Sequence, residues 1–214
     1  MKLIFLYFCK LISSPVIQKF FLEKVEGEEN IPKHGNFILA PNHLDGKDHW
    51  FISSVLKERL KNVRFIGAMD SLKTLFLSGT LYYFAGTIKI DRRKIDRKNV
   101  LDKIISNLRE NKSIVIYPEG NSNNKKILLR GKTGVAELAL RTGIPVIPVG
   151  IKTVDNSFKR AIKVGKPLYY LKEKEVAKNI KNDKEKYNLL LRKVTDNIMR
   201  EIAQLSQKPY QYAD

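Results

Sequence analysis

Cysteine is almost missing from this 214-residue chain, in which Cys9 stands alone. One cysteine supports neither an intrachain disulfide framework nor a cysteine-rich metal site, a usage that suits a reducing compartment. Cys9 reads as a small apolar residue of the core or of a membrane-facing surface. Histidine is scarce as well, at three residues. Long apolar runs are also lacking: Lys10 ends the run over residues 3–9, and a spanning helix needs about 20 mostly apolar residues. Lys2 and this short run imitate the front of a signal peptide. No A-x-A site follows, however, and the first alanine is Ala40, so cleavage is not expected. Acidic residues are in deficit, 22 against 40 Lys plus Arg, for a net charge of +18. That surplus attracts polyanions such as nucleic acid, anionic lipid, nucleotide phosphates or an acidic carrier protein. With no zinc-finger spacing, aromatic ribonucleoprotein signature or basic-region zipper, the chain is not expected to bind nucleic acid.

What is present is a pattern of alternating elements. The chain is long enough for one well-packed domain burying roughly 70% of its unfolded surface. Residues 1–24 mix Phe8, Leu11, Ile12, Val16, Ile17, Phe20, Phe21 and Leu22 with Lys10, Lys19 and Lys24 around Pro15, the composition of an interfacial helix or of a helix packed on the core. Asn36 to Ala40, Val63 to Gly67, Ile88 to Ile90 and Ser113 to Tyr117 read as short strands. Between them, a helix begins near Asp48, an apolar helical stretch covers residues 71–86, and a helical period runs from Asn99 to Leu108. The 71–86 stretch is either a core helix or one wall of an acyl slot. Gly131 to Arg141 reads as a helix closed by Gly143. Ile144 to Val149 is a strand whose Pro145 and Pro148 predict a sheet edge or a bulge. The charged stretch Lys172 to Lys186 reads as the solvated approach to one amphipathic helix carrying Tyr187, Leu190, Leu191, Val194, Ile198, Ile202 and Leu205. Such alternation predicts an α/β domain with a mostly parallel central sheet flanked by helices. The domain is expected over 25–214, with residues 1–24 as an N-terminal amphipathic, membrane-associated helical segment.

The chemistry concentrates in Asn42-His43-Leu44-Asp45-Gly46-Lys47-Asp48. Positions five apart on a regular helix diverge by about 140°, so His43 and Asp48 meet only if the chain turns between them. Gly46 permits that turn. With His43 before the helix and Asp48 at its start, the carboxylate reaches one imidazole nitrogen and leaves the other as a base for an attacking hydroxyl. Reading His43, Asp45, Asp48 and His49 as metal ligands fails on the number of imidazoles, since only His34 remains. His49 is better taken as a packing or hydrogen-bonding residue beside Trp50.

Three later segments extend the motif. Gly86 through Arg92 reads G-T-I-K-I-D-R, then come Tyr117-Pro118-Glu119-Gly120 and Ile144-Pro145-Val146-Ile147-Pro148-Val149. With the N-H-x-x-x-x-D block of residues 42–48, their order and spacing resemble the 1-acylglycerol-3-phosphate acyltransferase family of glycerolipid synthesis, over roughly residues 25 to 151. The resemblance implies a glycerolipid acyltransferase-like fold. It also implies transfer of a fatty acyl group from acyl-CoA or acyl-carrier protein to the free hydroxyl of 1-acylglycerol-3-phosphate, giving phosphatidic acid. No cofactor or metal is expected beyond that co-substrate.

His43 is the expected base and Asp48 its orienter; Arg92, Glu119, Gly120 and Lys132 are the expected acceptor and phosphate side. Two departures are visible: Lys89 stands where an aromatic residue is common, and Asn121-Ser122-Asn123 stands where Thr-Arg-Ser is common. Arg92, Lys132, Lys125 or Lys126 would then supply the missing cation, or the acceptor is another lyso-lipid. Lys125 and Lys126 by themselves read as a solvated loop. Lys132, in Arg130-Gly131-Lys132-Thr133-Gly134 before a helix, is the better anion ligand. A catalytically silent lipid-binding module is the remaining alternative. The charge balance fits an anionic membrane surface as partner, with the protein peripheral or monotopic on the cytoplasmic face of the cell membrane.

Overall fold

The computed structural model describes residues 16–68, 87–90, 96–154 and 159–212. Its strands are β1 (Leu22–Glu26), β2 (Ile38–Pro41), β3 (Val63–Ala68), β4 (Ile88–Ile90), β5 (Ser113–Val115), β6 (Val146–Thr153) and β7 (Arg160–Val164). The helices are α1 (Asp48–Leu56), α2 (Arg97–Arg109), α3 (Gly134–Thr142), α4 (Leu171–Asn179) and α5 (Lys184–Ser206). Asp96 and Asp183 cap α2 and α5 by accepting backbone amides of the first turn, and Gly143 closes α3 in the left-handed conformation.

The described strands form one sheet in the order β1-β7-β6-β2-β5-β3-β4, parallel at every pairing except β6 with β7. Strand periodicity explains how the sheet is covered. Ile38, Ala40, Ile114 and Val146 face a core shared with α2, α3, α4 and α5. Leu39, Val115, Ile147, Val149 and Ile151 face the opposite core, shared with Phe51, Ile52, Val55 and Leu56 of α1. Both faces are dry, so the central strands are apolar throughout rather than alternating. Gly150 lets α5 lie directly on β6, because a Cβ there would stand 2.2 Å from the Leu205 carbonyl carbon.

Expected and observed elements agree for β2, β3, β4, α1 and α2. Several others differ. The expected edge position for the proline-bearing strand is wrong: β6 lies inside the sheet, between β7 and β2. Its prolines are tolerated by the other expected device, a bulge. Val149 stands opposite Val164 while Val146 bridges Leu168, so the 164–168 side takes up one extra residue where Pro148 has no N–H to offer. The charged approach to α5 forms a helix of its own, α4, and α3 starts at Gly134 rather than Gly131. Strands β1 and β7 were not expected, and β1 straddles the boundary drawn at residue 24. Residues 16–20 are helical, and the Gln18 side chain donates to the Ser54 carbonyl of α1 (2.8 Å). The 71–86 stretch and Arg92 lie outside the described residues. No described helix is long and apolar enough to cross a membrane.

Candidate active site

Parallel neighbours β2 and β5 release their loops at the same end of the sheet, the end where open α/β sheets gather ligands. The register that sets Leu39 beside Val115 continues beyond the strands and brings His43 beside Glu119. The His43 amide donates to Glu119 Oε1 at 3.0 Å. Asn42 locks the base of this loop: its side chain donates to the Ile151 carbonyl (2.9 Å) and accepts from the Ile151 amide (2.6 Å), so a buried amide copies a strand neighbour's backbone.

After His43 the chain wraps around Asp48. One oxygen of that carboxylate, Oδ2, accepts from the Leu44 amide (2.6 Å), the Asp45 amide (3.0 Å) and His43 Nδ1 (2.9 Å). The Asp48 side chain is 0% exposed and the imidazole 16%. A proton held on Nδ1 by this carboxylate leaves the lone pair on Nε2, which has no hydrogen-bond partner among the described residues. Asp48 Oδ1 is buried and accepts no hydrogen bond among the described residues, so the carboxylate's charge is shared by the imidazole and the two backbone amides that meet Oδ2. Asp45 steadies the turn from outside, accepting from the Lys47 amide (2.8 Å) and from the buried Arg160 guanidinium of β7 (2.9 Å), which also lies over the Phe51 ring.

Tyr117 supplies the next contact. Its ring stacks on the His43 imidazole at 4.2 Å and 28°, a geometry that favours an imidazolium when one forms. Its hydroxyl meets His49 Nδ1 at 3.2 Å. Burial, and then the neighbouring His43, push the His49 pKa down to about 4, so His49 is neutral near pH 7 and serves as a hydrogen-bonding wall. This matches its reading as a local packing residue.

The third block forms the other side of the site. Glu119 Oε2 accepts from the Asn123 side-chain amide (2.8 Å) and the Leu129 backbone amide (2.9 Å), while the Asn123 amide donates to the His43 carbonyl (2.6 Å). Both Glu119 oxygens therefore brace the chain around His43. Gly120 turns at φ +72, and the Lys132 side chain crosses it, since a Cβ on Gly120 would stand 2.6 Å from Lys132 Nζ. The Lys132 amide holds the Pro118 carbonyl (2.8 Å). Lys125 and Lys126 are exposed, in keeping with a solvated loop. Lys208, downstream of α5, has its pKa lowered by burial, an effect opposed by the negative fields of Glu119 and Asp48.

Four of the six anticipated site residues, His43, Asp48, Glu119 and Gly120, thus share one loop cluster with a fifth, Lys132; Arg92 lies outside the described residues. Sequence reasoning overlooked the ring of Tyr117, the Asn42 clamp, Asn123 and Arg160. Asn42 and Tyr117 lay within the quoted blocks, but the contacts of Asn123 and Arg160 leave no local signal. Among the described residues no cluster of His, Cys, Asp and Glu is suited to a metal.

The Acyltransferase family model matches residues 23–152. Curated relatives described as 1-acyl-sn-glycerol-3-phosphate acyltransferase include one from Borreliella burgdorferi, 32% identical over 140 residues, covering 64% of this chain and 54% of that protein. Another, from Escherichia coli, is 28% identical over 125 residues, covering 58% of this chain and 49% of that protein. The chain spans about half the length of the curated relatives it matches. In fold it is similar to the crystal structure of the 1-acyl-sn-glycerophosphate acyltransferase of Thermotoga maritima. That match has a TM-score of 0.63 and 21% identity, covering 96% of this chain and 81% of that one. With the family's match spanning the loops that carry His43, Asp48 and Glu119, the chain belongs to the Acyltransferase family.

Proposed function

We propose that the protein transfers a fatty acyl group from a thioester, acyl-CoA or acyl-carrier protein, to the free hydroxyl of 1-acylglycerol-3-phosphate, giving phosphatidic acid. The carrying observation is the 2.9 Å contact between His43 Nδ1 and the fully buried Asp48. His43 Nε2 takes the hydroxyl proton as the oxygen attacks the thioester carbonyl. Asp48 and the Tyr117 ring stabilise the resulting imidazolium. The C–S bond then breaks, and the imidazolium returns its proton to the departing thiolate. No serine or cysteine stands in hydrogen-bond contact with His43 among the described residues, which favours direct attack within a ternary complex over an acyl-enzyme. Lys132, beside Gly120, and Arg92 are assigned to the acceptor phosphate, with Glu119 bracing the loop that leads to Lys132.

The lipid acceptor, the soluble donor and the +18 charge support work at an anionic membrane surface on the cytoplasmic face. Residues 1–24 are the proposed contact. The deciding experiment follows thiol release from palmitoyl-CoA and palmitoyl-acyl carrier protein, with and without 1-acylglycerol-3-phosphate, in wild type and His43→Ala. Acceptor-dependent release that vanishes in the variant is the expected result. Release with only another lyso-lipid would move the acceptor, and none with any acceptor would leave a silent lipid-binding module.

A further inference from the structure

Gln207 ends α5 with a left-handed backbone, and the chain then turns back along the loop between Asn123 and Gly131. Three consecutive residues hold that loop. Lys208 Nζ donates to the carbonyls of Asn123 (3.2 Å) and Lys125 (2.7 Å). The Pro209 carbonyl accepts from the Leu128 amide (3.0 Å). The Tyr210 hydroxyl accepts from the Gly131 amide (3.4 Å) and donates to Asp196. Arg192, paired with the same Asp196 on α5, donates to the Gly131 carbonyl (2.7 Å). Both polar backbone groups of Gly131 are thus held from α5 and the segment after it, and Lys132 is the next residue. All of these holding groups lie beyond the stretch that the family model matches.

We propose that Lys208 and Tyr210 are positioning residues for the acceptor, fixing the 123–131 loop so that Lys132 stays across Gly120 beside the Glu119 brace. The inference rests on the assignment of Lys132 to the acceptor phosphate. Its physical basis is preorganisation: a loop held beforehand does not draw its ordering entropy from substrate binding. Asp48 is held by α1 and by its own turn, whereas the His43 carbonyl also accepts from the Asn123 amide, so the larger effect falls on acceptor binding and the smaller one on the proton transfer.

The test uses the full chain with Lys208→Met, Lys208→Arg and Tyr210→Phe, reading steady-state transfer from palmitoyl-CoA together with hydrogen exchange at the Leu128 and Lys132 amides. Lys208→Met should raise the acceptor KM about tenfold and Tyr210→Phe about threefold, with kcat and donor KM within about twofold. Both amides should exchange faster, and Lys208→Arg, which keeps a cation able to bridge two carbonyls, should restore most of the loss. A fall in melting temperature with unchanged acceptor KM and unchanged exchange would overturn the proposal, as would a loss confined to kcat. Should Lys208→Met fail to fold, Tyr210→Phe, which removes one hydroxyl, carries the decision. Were the wild type to transfer nothing to any acceptor, the acyl-transfer reading would fail by itself, and amide exchange would still decide whether this segment holds the loop.

Discussion

Replacing Asp48 with Asn tests the core of the proposed chemistry, because it removes a charge while nearly preserving shape. Oδ2 accepts three hydrogen bonds and, among the described residues, Oδ1 none, so one orientation of the new amide fits best. Its oxygen must face the Leu44 and Asp45 amides and His43 Nδ1, and its NH2 group then occupies the buried, partnerless position. An unsatisfied buried donor costs about 1–3 kcal/mol, which thermal unfolding would register. The kinetic effect should be larger. A carboxylate and an imidazolium about 4 Å apart at an effective dielectric of about 20 attract by about 4 kcal/mol, roughly a 10³-fold effect on rate. The neutral amide forgoes most of it in the transition state, where the imidazolium exists, and little in the ground state. Thiol release from palmitoyl-CoA with 1-acylglycerol-3-phosphate should therefore show kcat reduced about 10³-fold with KM within about threefold. A folded Asp48→Asn protein retaining kcat within about tenfold of wild type would refute imidazolium stabilisation by this carboxylate.

Tyr117→Leu removes the ring stacked on His43 and should lower kcat about fivefold, the worth of a cation–π contact near 1 kcal/mol; Tyr117→Phe, which keeps the ring, should stay within about twofold in the same assay. Asn42→Ala deletes two buried hydrogen bonds and strands the Ile151 backbone, so urea unfolding should register a loss of about 2–4 kcal/mol. His49 has a folded pKa near 4, below its unfolded value. Its contribution to stability is thus fully present above about pH 6.5 and is lost as the pH falls from there towards 4, by about 3 kcal/mol in all. Urea midpoints between pH 7 and 4.5 should fall more steeply for wild type than for His49→Gln, and parallel curves would contradict the assignment.

Local grammar made much of this molecule readable in advance. Pro41 ending a strand, Gly46 in a turn and Asp48 opening a helix are neighbours in sequence, so the meeting of His43 with Asp48 followed from chain geometry. The strand-helix alternation likewise implied a parallel sheet. What escaped notice depends on partners far apart in the chain. Strands β1 and β7 are short and rich in charge; β1 becomes a strand only by pairing with β7 across more than half the chain, and β7 lies between it and β6. Proline in β6 pointed to an edge because edges are the usual refuge of a missing donor, and only the bulge against Leu168 reveals the interior solution. The hold of Arg160 on Asp45 and of Lys208 on the third-block loop joins residues more than 80 positions apart, beyond the reach of any spacing rule.

The turn around His43 has one more chemical consequence. Its successive amides at His43, Leu44, Asp45 and Lys47 all donate to carboxylates of the protein itself: Glu119, Asp48 twice, and Asp45. A bend of this kind, with its amides converging, would ordinarily serve as a cradle for an incoming anion. Here it is filled from within and gathers three carboxylates around the base. Those four amides are therefore not offered to a phosphate or to an oxyanion. In the proposed reaction, negative charge on the substrate would be driven towards Gly120 and Lys132, and the bond being broken would face His43 Nε2, which has no hydrogen-bond partner among the described residues. On that reading the division of labour between the two loops is an electrostatic sorting of the substrate, which would set the direction in which a phosphorylated acceptor lies.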